Sequence, residues 1–299
     1  MEKIKNLPNL LIVGAAKSGT TSLHNYLKQH PDIFMTAHKE PHFLINNEIG
    51  VKRVHKAVTD IKNYQAMFDG AGNYKYRGES SVMYLAFPDI AVRNIRKYLP
   101  EDVRIIIMLR NPIERAFAGY LHNVRYNPSE NLSFDLAIKA SEERYHKNSD
   151  ITPDMRYLYT GMYSSQIKKY KDEFGDNVHI IIYDDFVMNI EKSIRSVFDF
   201  LGVSRINVDT TKRYMVGGWV FNSSIVRKLI ISRNNFKFVI KAFLPSVYLR
   251  KKIRAIIMYF FTSESPKLKE KDRVFLQDYY KEDIIKTESI LGFETKWNK

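Results

Sequence analysis

An apolar run of strand length, Leu10-Leu11-Ile12-Val13, passes directly into Gly14-Ala15-Ala16-Lys17-Ser18-Gly19-Thr20-Thr21 and then into an amphipathic stretch, Ser22-Leu23-His24-Asn25-Tyr26-Leu27-Lys28. Strand, small-residue loop and helix start together make an anion cradle. The first N–H groups of a helix have no partner within it, and the helix dipole adds partial positive charge at that end. Further strand-like runs lie at Ile105–Leu109 and His179–Tyr183, with a weaker one at Tyr76–Ser81. Helical periodicity falls between them, at Ser22–Gln29, Ile90–Tyr98, Pro112–Asn123, Tyr163–Phe174 and Ile190–Leu201. Strands alternating with helices predict an α/β fold, a three-layer αβα domain over residues 1–299 with a central parallel sheet and C-terminal helices. Ligands of such sheets bind beyond the carboxyl ends of the strands. Lys17 and Arg110 both follow strand-like runs, so they are expected to meet in one crevice.

Composition narrows the function classes. With 299 residues, 44% of them hydrophobic, the chain can bury a sizeable core. The absence of cysteine excludes disulfides, thiolate metal sites and a cysteine nucleophile, and suits a reducing cytoplasm. No cluster has metal-ligand spacing, so no metal is expected. The net charge of +14 implies attraction to nucleic acid, to an anionic membrane, or to an anionic nucleotide together with an acidic glycan. No helix-turn-helix, zinc or stacking motif supports nucleic acid. No apolar run reaches the roughly 18 residues of a membrane span, and Lys17 ends the first apolar run too early for a signal peptide. Residues 124–155 are polar and read as an insertion or lid. Segment 225–261 is basic and apolar by turns, open to two readings: a membrane-surface element in peripheral contact with anionic lipid, or packed helices with solvated lysines.

Lys17-Ser18-Gly19-Thr20-Thr21-Ser22-Leu23, followed by His30-Pro31, resembles the 5′-phosphosulfate loop of sulfotransferases that use 3′-phosphoadenosine 5′-phosphosulfate (PAPS). In a nucleotide-triphosphatase loop, G-x-x-x-x-G-K-[ST], the lysine follows the second glycine. Here it comes two residues before. Arg110-Asn111-Pro112-Ile113-Glu114-Arg115-Ala116-Phe117-Ala118-Gly119-Tyr120 resembles the same family's 3′-phosphate element. Glu40-Pro41-His42-Phe43 is similar to a segment of glycosaminoglycan sulfotransferases. Gly78-Glu79-Ser80-Ser81 with Tyr84, and the end of the chain from Tyr279 to Trp297, complete an ordered set covering nearly the whole chain. The resemblance implies a P-loop-like fold and transfer of a sulfuryl group from PAPS to a hydroxyl or amine, releasing adenosine 3′,5′-bisphosphate. Golgi relatives carry a membrane anchor before the catalytic domain. This chain starts at Met1 almost on its first strand, so a soluble, cytoplasmic, bacterial form is expected.

The resemblance also assigns roles. Lys17 stabilises the leaving nucleotide, and the amides of Ser18, Gly19, Thr20 and Thr21 hold the 5′-phosphate. Arg110 grips the 3′-phosphate as a permanently charged fork. Ala118 stands where the family usually has a serine, which removes one 3′-phosphate contact. Arg115 reads as structural. Glu40 matches a general base, which suits a carboxylate if the cleft raises its pKa. His42 and His122 each match a catalytic-site histidine in some members, and each is also open to a structural role. Tyr163 aligns with a tyrosine near the nucleotide, Gly217 and Gly218 with a loop closing over the 3′-phosphate, and Arg213 is a weaker candidate beside them. Ile45 and Ser80 replace an acid and a lysine of the 3-O-sulfating members, so acceptor contacts do not carry over. A carbohydrate acceptor leads; a lipid or secondary-metabolite hydroxyl is the rival. A kinase or triphosphatase, with His179–Asp185 as an imitation Walker B strand, is the alternative of another class.

Overall fold

Strands β1 (Leu10–Gly14), β2 (Ile33–Met35), β3 (Tyr76–Ser80), β4 (Arg104–Leu109) and β5 (Val178–Ile182) form a five-stranded sheet in the order β2-β3-β1-β4-β5. Every neighbouring pair is parallel. The structure, a computed structural model, describes residues 6–54, 56–212, 214–215, 217–231 and 246–297. Arg213 and residues 232–245 of the basic apolar segment lie outside the described residues.

Alternation along the strands fills both faces. Leu11, Val13, Ile105, Ile107 and Leu109 point to one core, and Leu10, Ile12, Ile106 and Met108 to the other. The second face is covered by α1 (Thr20–Leu27), through Leu23 and Leu27. Short helices α2 (Phe43–Ile49) and α3 (Ile61–Ala66) follow β2, and α4 (Pro88–Tyr98) packs Ala91, Val92 and Ile95 on the first face. There it meets α5 (Pro112–Tyr126), α6 (Phe134–Lys147) and α7 (Tyr163–Phe174). After β5 come α8 (Tyr183–Met188) and α9 (Ile190–Leu201), whose Ile194, Val197 and Phe198 return to the second face. Ile106 is fully buried, so Ile106→Ala would cost about 2–5 kcal/mol.

The three clear apolar runs and the weaker one at Tyr76–Ser81 are all strands, except that Tyr183 opens α8 rather than ending β5. β2 was not anticipated: three residues are too few to show periodicity. Residues 124–155 are not a loose lid. Phe134, Ala137 and Ile138 of α6 enter the core, and Arg144 pairs with the buried Glu130 at 3.1 Å. Beyond α9, β6 (Trp219–Phe221) leads to α10 (Ser224–Ile231); α11 (Val247–Phe261) returns through β7 (Thr262–Glu264), antiparallel to β6. The last helix, α12 (Glu270–Leu291), packs on α7, and its Asp283 carboxylate accepts the Tyr163 N–H at 2.7 Å, satisfying the first turn of α7.

Candidate active site

One cleft of about 600 Å³ lies beyond the carboxyl ends of the sheet. Each strand delivers a residue to its lining: Lys17 after β1, Glu40 and His42 after β2, Val82 after β3, Arg110 after β4 and Tyr183 after β5. Because β1 and β4 are neighbours, Lys17 and Arg110 meet, and Arg110 Nη1 donates to the Lys17 carbonyl at 3.3 Å.

The β1–α1 loop is built for close approach. Lys17 and Gly19 have left-handed φ values of 68° and 86°. Gly19 directly precedes α1, and a Cβ there would meet the Tyr183 ring at 3.2 Å. No side chain caps α1 and no acid stands in its first turn. Gly19, Thr20, Thr21 and Ser22 all line the cleft, so the positive end of the helix opens onto it. Ser18 is fully buried and lines no part of the cleft; its Oγ has no hydrogen-bond partner.

Lys17 Nζ lies 3.2 Å from His122 Nδ1. Burial, and then the charge of Arg125, brings the Lys17 ammonium down to about 8. Burial, and then Lys17 and Arg125, brings the His122 imidazolium down to about 3. At neutral pH the lysine is therefore the donor and the neutral imidazole the acceptor.

Opposite stands a strained turn. Glu40 and His42 have φ values of 65° and 50°, unusual for residues with a Cβ. The Glu40 N–H donates to the Ser80 carbonyl at 2.8 Å, and the His42 N–H to Ser81 Oγ at 3.0 Å. Ser81 Oγ in turn donates to the fully buried Glu79 at 2.8 Å, and Tyr64 donates to the other Glu79 oxygen at 3.1 Å. The Gly78-Glu79-Ser80-Ser81 segment is thus the bracket for the turn. Burial raises the Glu79 carboxyl. Glu40 goes the other way. Crowding by protein pushes its carboxyl up, but Lys39 Nζ at 2.6 Å and His42 Nε2 at 3.6 Å outweigh this and hold it below the usual range. The cleft does not raise this pKa, because Lys39 sits beside the carboxylate. The side chain keeps 39% of its surface exposed.

Ala118 and Gly217 line the cleft; Gly218 and the fully buried Tyr163 do not. Tyr163 packs against Trp297, with ring centroids 5.9 Å apart, and supports the site from behind. Arg115 is buried, donates to the Tyr157 carbonyl and reaches the cleft edge. Asp184 and Asp185 are exposed in α8 and do not line the cleft, so the Walker B imitation supplies no carboxylate there. Sequence reading missed Arg125. It is 5% exposed, its Nε has no partner, and its Nη1 donates to the Trp219 carbonyl at 3.3 Å. A Cβ at Gly217 would lie 3.1 Å from Nη1, so the glycine makes room for the guanidinium. Its signal was weak: an arginine three residues beyond His122, one turn further along a helix already assigned to the site.

The chain matches the family model of the sulfotransferase domain over residues 7–242. The crystal structure of a sulfotransferase from Alicyclobacillus acidocaldarius superposes with a TM-score of 0.74 at 28% identity, covering 98% of this chain and 99% of that one. Human carbohydrate sulfotransferase 15 is 24% identical over 257 residues, 69% of this chain and 45% of its own length. The Xenopus laevis bifunctional heparan sulfate N-deacetylase/N-sulfotransferase 1 is 28% identical over 203 residues, 66% of this chain and 22% of its own. The chain thus spans less than half the length of these two curated relatives. With the domain model matched from the first strand to beyond the cleft loops, the chain belongs to the sulfotransferase family.

Proposed function

We propose that the protein transfers a sulfuryl group from PAPS to a hydroxyl or amine of a carbohydrate. The observation that carries this reading is the cleft itself, lined by the Lys17–His122 pair, Arg110, an open helix N-terminus and, on a separate turn, the partly exposed Glu40 carboxylate paired with Lys39. The residues fit the donor's charge. Among the described residues no salt bridge engages Lys17, Arg110, Arg115 or Arg125. Four cations without carboxylate partners beside an uncapped helix suit a ligand bearing several anionic groups.

PAPS would supply the sulfuryl group. The loop amides of Gly19, Thr20 and Thr21, which line the cleft, hold the 5′-phosphate, and Arg110 holds the 3′-phosphate. Lys17, protonated and oriented by neutral His122, stabilises charge developing on the oxygen that bridges phosphorus and sulfur. As that S–O bond breaks, a new S–O bond forms to the acceptor, and the acceptor's proton passes to Glu40. A carboxylate held below its usual range is a weak base, so the proton moves late, once the bond to sulfur has acidified the acceptor. The carbohydrate acceptor is supported by the similarity to carbohydrate and heparan sulfate sulfotransferases, and Glu40, Arg53 and Asp154 supply polar groups to the cleft lining.

Calorimetry with adenosine 3′,5′-bisphosphate, 5′-AMP and ATP tests the donor. The bisphosphate should bind at least about tenfold more tightly than 5′-AMP, one charge-assisted contact being worth roughly 1.5–3 kcal/mol. Equal affinities, or Mg²⁺-dependent preference for ATP, would overturn the reading. Radiolabelled PAPS with panels of glycans, lipids and small hydroxyl compounds tests the acceptor; label entering only the non-carbohydrate panels would overturn the carbohydrate.

A further inference from the structure

The charge of this chain is not spread evenly. Residues 210–263 hold eleven lysines and arginines and no aspartate or glutamate, which accounts for eleven of the fourteen net positive charges. The sulfotransferase cleft does not use most of them. Among the described residues, Arg227 and Lys228 lie on α10 and Arg250, Lys251, Lys252 and Arg254 on α11, between β6 and β7.

Helix α11 is amphipathic in the reverse sense to a core helix. At 3.6 residues per turn, Tyr248, Lys252, Tyr259, Ile256, Leu249 and Phe260 fall within an arc of about 120°. That arc faces outward: Tyr259 is 80% exposed, Tyr248 67%, Phe260 66% and Ile256 56%. On α10, Ile225 and Leu229, four residues apart, are also exposed, with Lys228 beside them. Arg250, Lys251 and Arg254 also belong to α11, and the sequence from 210 to 263 contains no acid. Lys252 Nζ sits 4.8 Å from the centre of the Tyr248 ring, so a cation stands over the aromatic face rather than apart from it.

We infer that the outward face of α10 and α11 docks on an anionic lipid surface. Two tyrosines, a phenylalanine and the aliphatics Leu249 and Ile256 on α11, with Ile225 and Leu229 on α10 and the exposed Lys252 and Lys228 beside them, match what an interfacial helix needs: apolar area for the acyl boundary and positive charge for the headgroups. Nucleic acid would be drawn by the charge but gives no use for the apolar arc, and a second copy of the chain would bring the same uncompensated charges together. No helix among the described residues is long and apolar enough to cross a membrane, so the contact is at the surface. The excursion is tied to the cleft. Arg227 of α10 donates to the carbonyls of Val124 and, at 2.8 Å, Asn127, at the end of the helix that carries His122 and Arg125, and β6 begins two residues after Gly217. A docked α10–α11 face would therefore hold the cleft mouth near the bilayer, where a glycan attached to lipid is presented.

Flotation of the full chain with vesicles tests this, using phosphatidylcholine alone and an equal mixture with phosphatidylglycerol. Binding is expected to the mixed vesicles only and should weaken as salt rises. Phe260→Asp and Ile256→Asp, both at exposed positions, should each lower partition about tenfold or more, the loss of one large apolar side chain from the interface. Lys252→Glu should weaken it in the mixed vesicles. Affinity for adenosine 3′,5′-bisphosphate and the thermal midpoint should be unchanged in all three variants. No binding to mixed vesicles, or binding that Phe260→Asp and Ile256→Asp leave intact, overturns the inference. So does a self-association in solution that the same variants abolish while vesicle binding is absent. None of these outcomes depends on the chemistry of the cleft.

Discussion

Lys17 donates to His122 across 3.2 Å, and the pair is kept in a single protonation state by the surroundings that bury it. Two groups that would each be charged in mildly acidic water share one proton here. The imidazole, brought down to about 3, serves as an acceptor that aims the lysine. With Nδ1 turned to Lys17 and the ring held neutral, His122 is better placed to orient the lysine than to take a proton from an acceptor.

The lysine sets the alkaline limit of activity. In the proposed mechanism its ammonium is the active form, and burial brings it down to about 8 in the free protein. Log kcat/KM should therefore be flat through neutrality and fall as pH rises through about 8. Anionic donor in the cleft favours the ammonium, so the limb in kcat should lie at higher pH than that in kcat/KM. Lys17→Ala should abolish turnover with little change in thermal midpoint. A pH profile of kcat/KM that rises through this range would contradict a protonated Lys17.

Arg125 reaches the same group through charge. After burial it is the largest influence lowering Lys17. Arg125→Gln should shift the alkaline limb to higher pH, because a cation is removed beside the ammonium. Turnover should also drop, by about 10–100-fold if the guanidinium contributes one charge-assisted contact of roughly 1.5–3 kcal/mol in the transition state. An unmoved limb would show that the two cations do not feel each other in solution.

Glu40 and Lys39 make the complementary test on the acid side. Glu40→Gln should bind adenosine 3′,5′-bisphosphate normally yet lose about 10²–10⁴-fold in turnover, the usual worth of a positioned base. In the native protein the carboxylate stays ionised until the pH falls below the ordinary carboxylate range, so no acid limb from Glu40 should appear above it. Lys39→Ala removes the ammonium 2.6 Å away, and the limb should move to higher pH. Near-full turnover in Glu40→Gln would place the base elsewhere, with His42, on the same turn, next in position.

The sheet was legible because its strands are buried on both faces and read as continuous apolar runs, as Ile105–Leu109 does. The Lys17 loop was legible because glycine and small residues between a strand and a helix have few other uses. What did not show was anything set by tertiary approach. Arg125 is functional in appearance only once Gly217 is seen packed against it from a segment about ninety residues away. Glu40 and His42 were identified, but their left-handed backbone and the Glu79–Ser81 bracket depend on β2 and β3 lying side by side. Tyr163, which the resemblance aligns near the nucleotide, does not line the cleft, because α12 caps α7 and the ring packs against Trp297. The direction of the Glu40 shift was not legible because burial and Lys39 oppose one another, and only the 2.6 Å contact decides between them.

Gly19 offers a test in which one methyl group reports on both halves of the donor site. Its φ of 86° disfavours alanine by about 1–2 kcal/mol. The added Cβ would also press the Tyr183 ring from 3.2 Å. That ring lies under the Arg110 guanidinium, 4.8 Å from Cζ to the ring centre. Gly19→Ala should therefore weaken adenosine 3′,5′-bisphosphate more than it weakens 5′-AMP, because displacement of Tyr183 disturbs the 3′-phosphate ligand as well as the 5′ cradle. Adding Tyr183→Leu frees the space but not the backbone. The double variant should recover thermal stability only in part, and should not recover the preference for the bisphosphate, since Arg110 has lost its aromatic support. Calorimetry with both nucleotides on the single and double variants decides it. If Gly19→Ala weakens the two nucleotides equally, the Tyr183 ring does not couple the loop to Arg110.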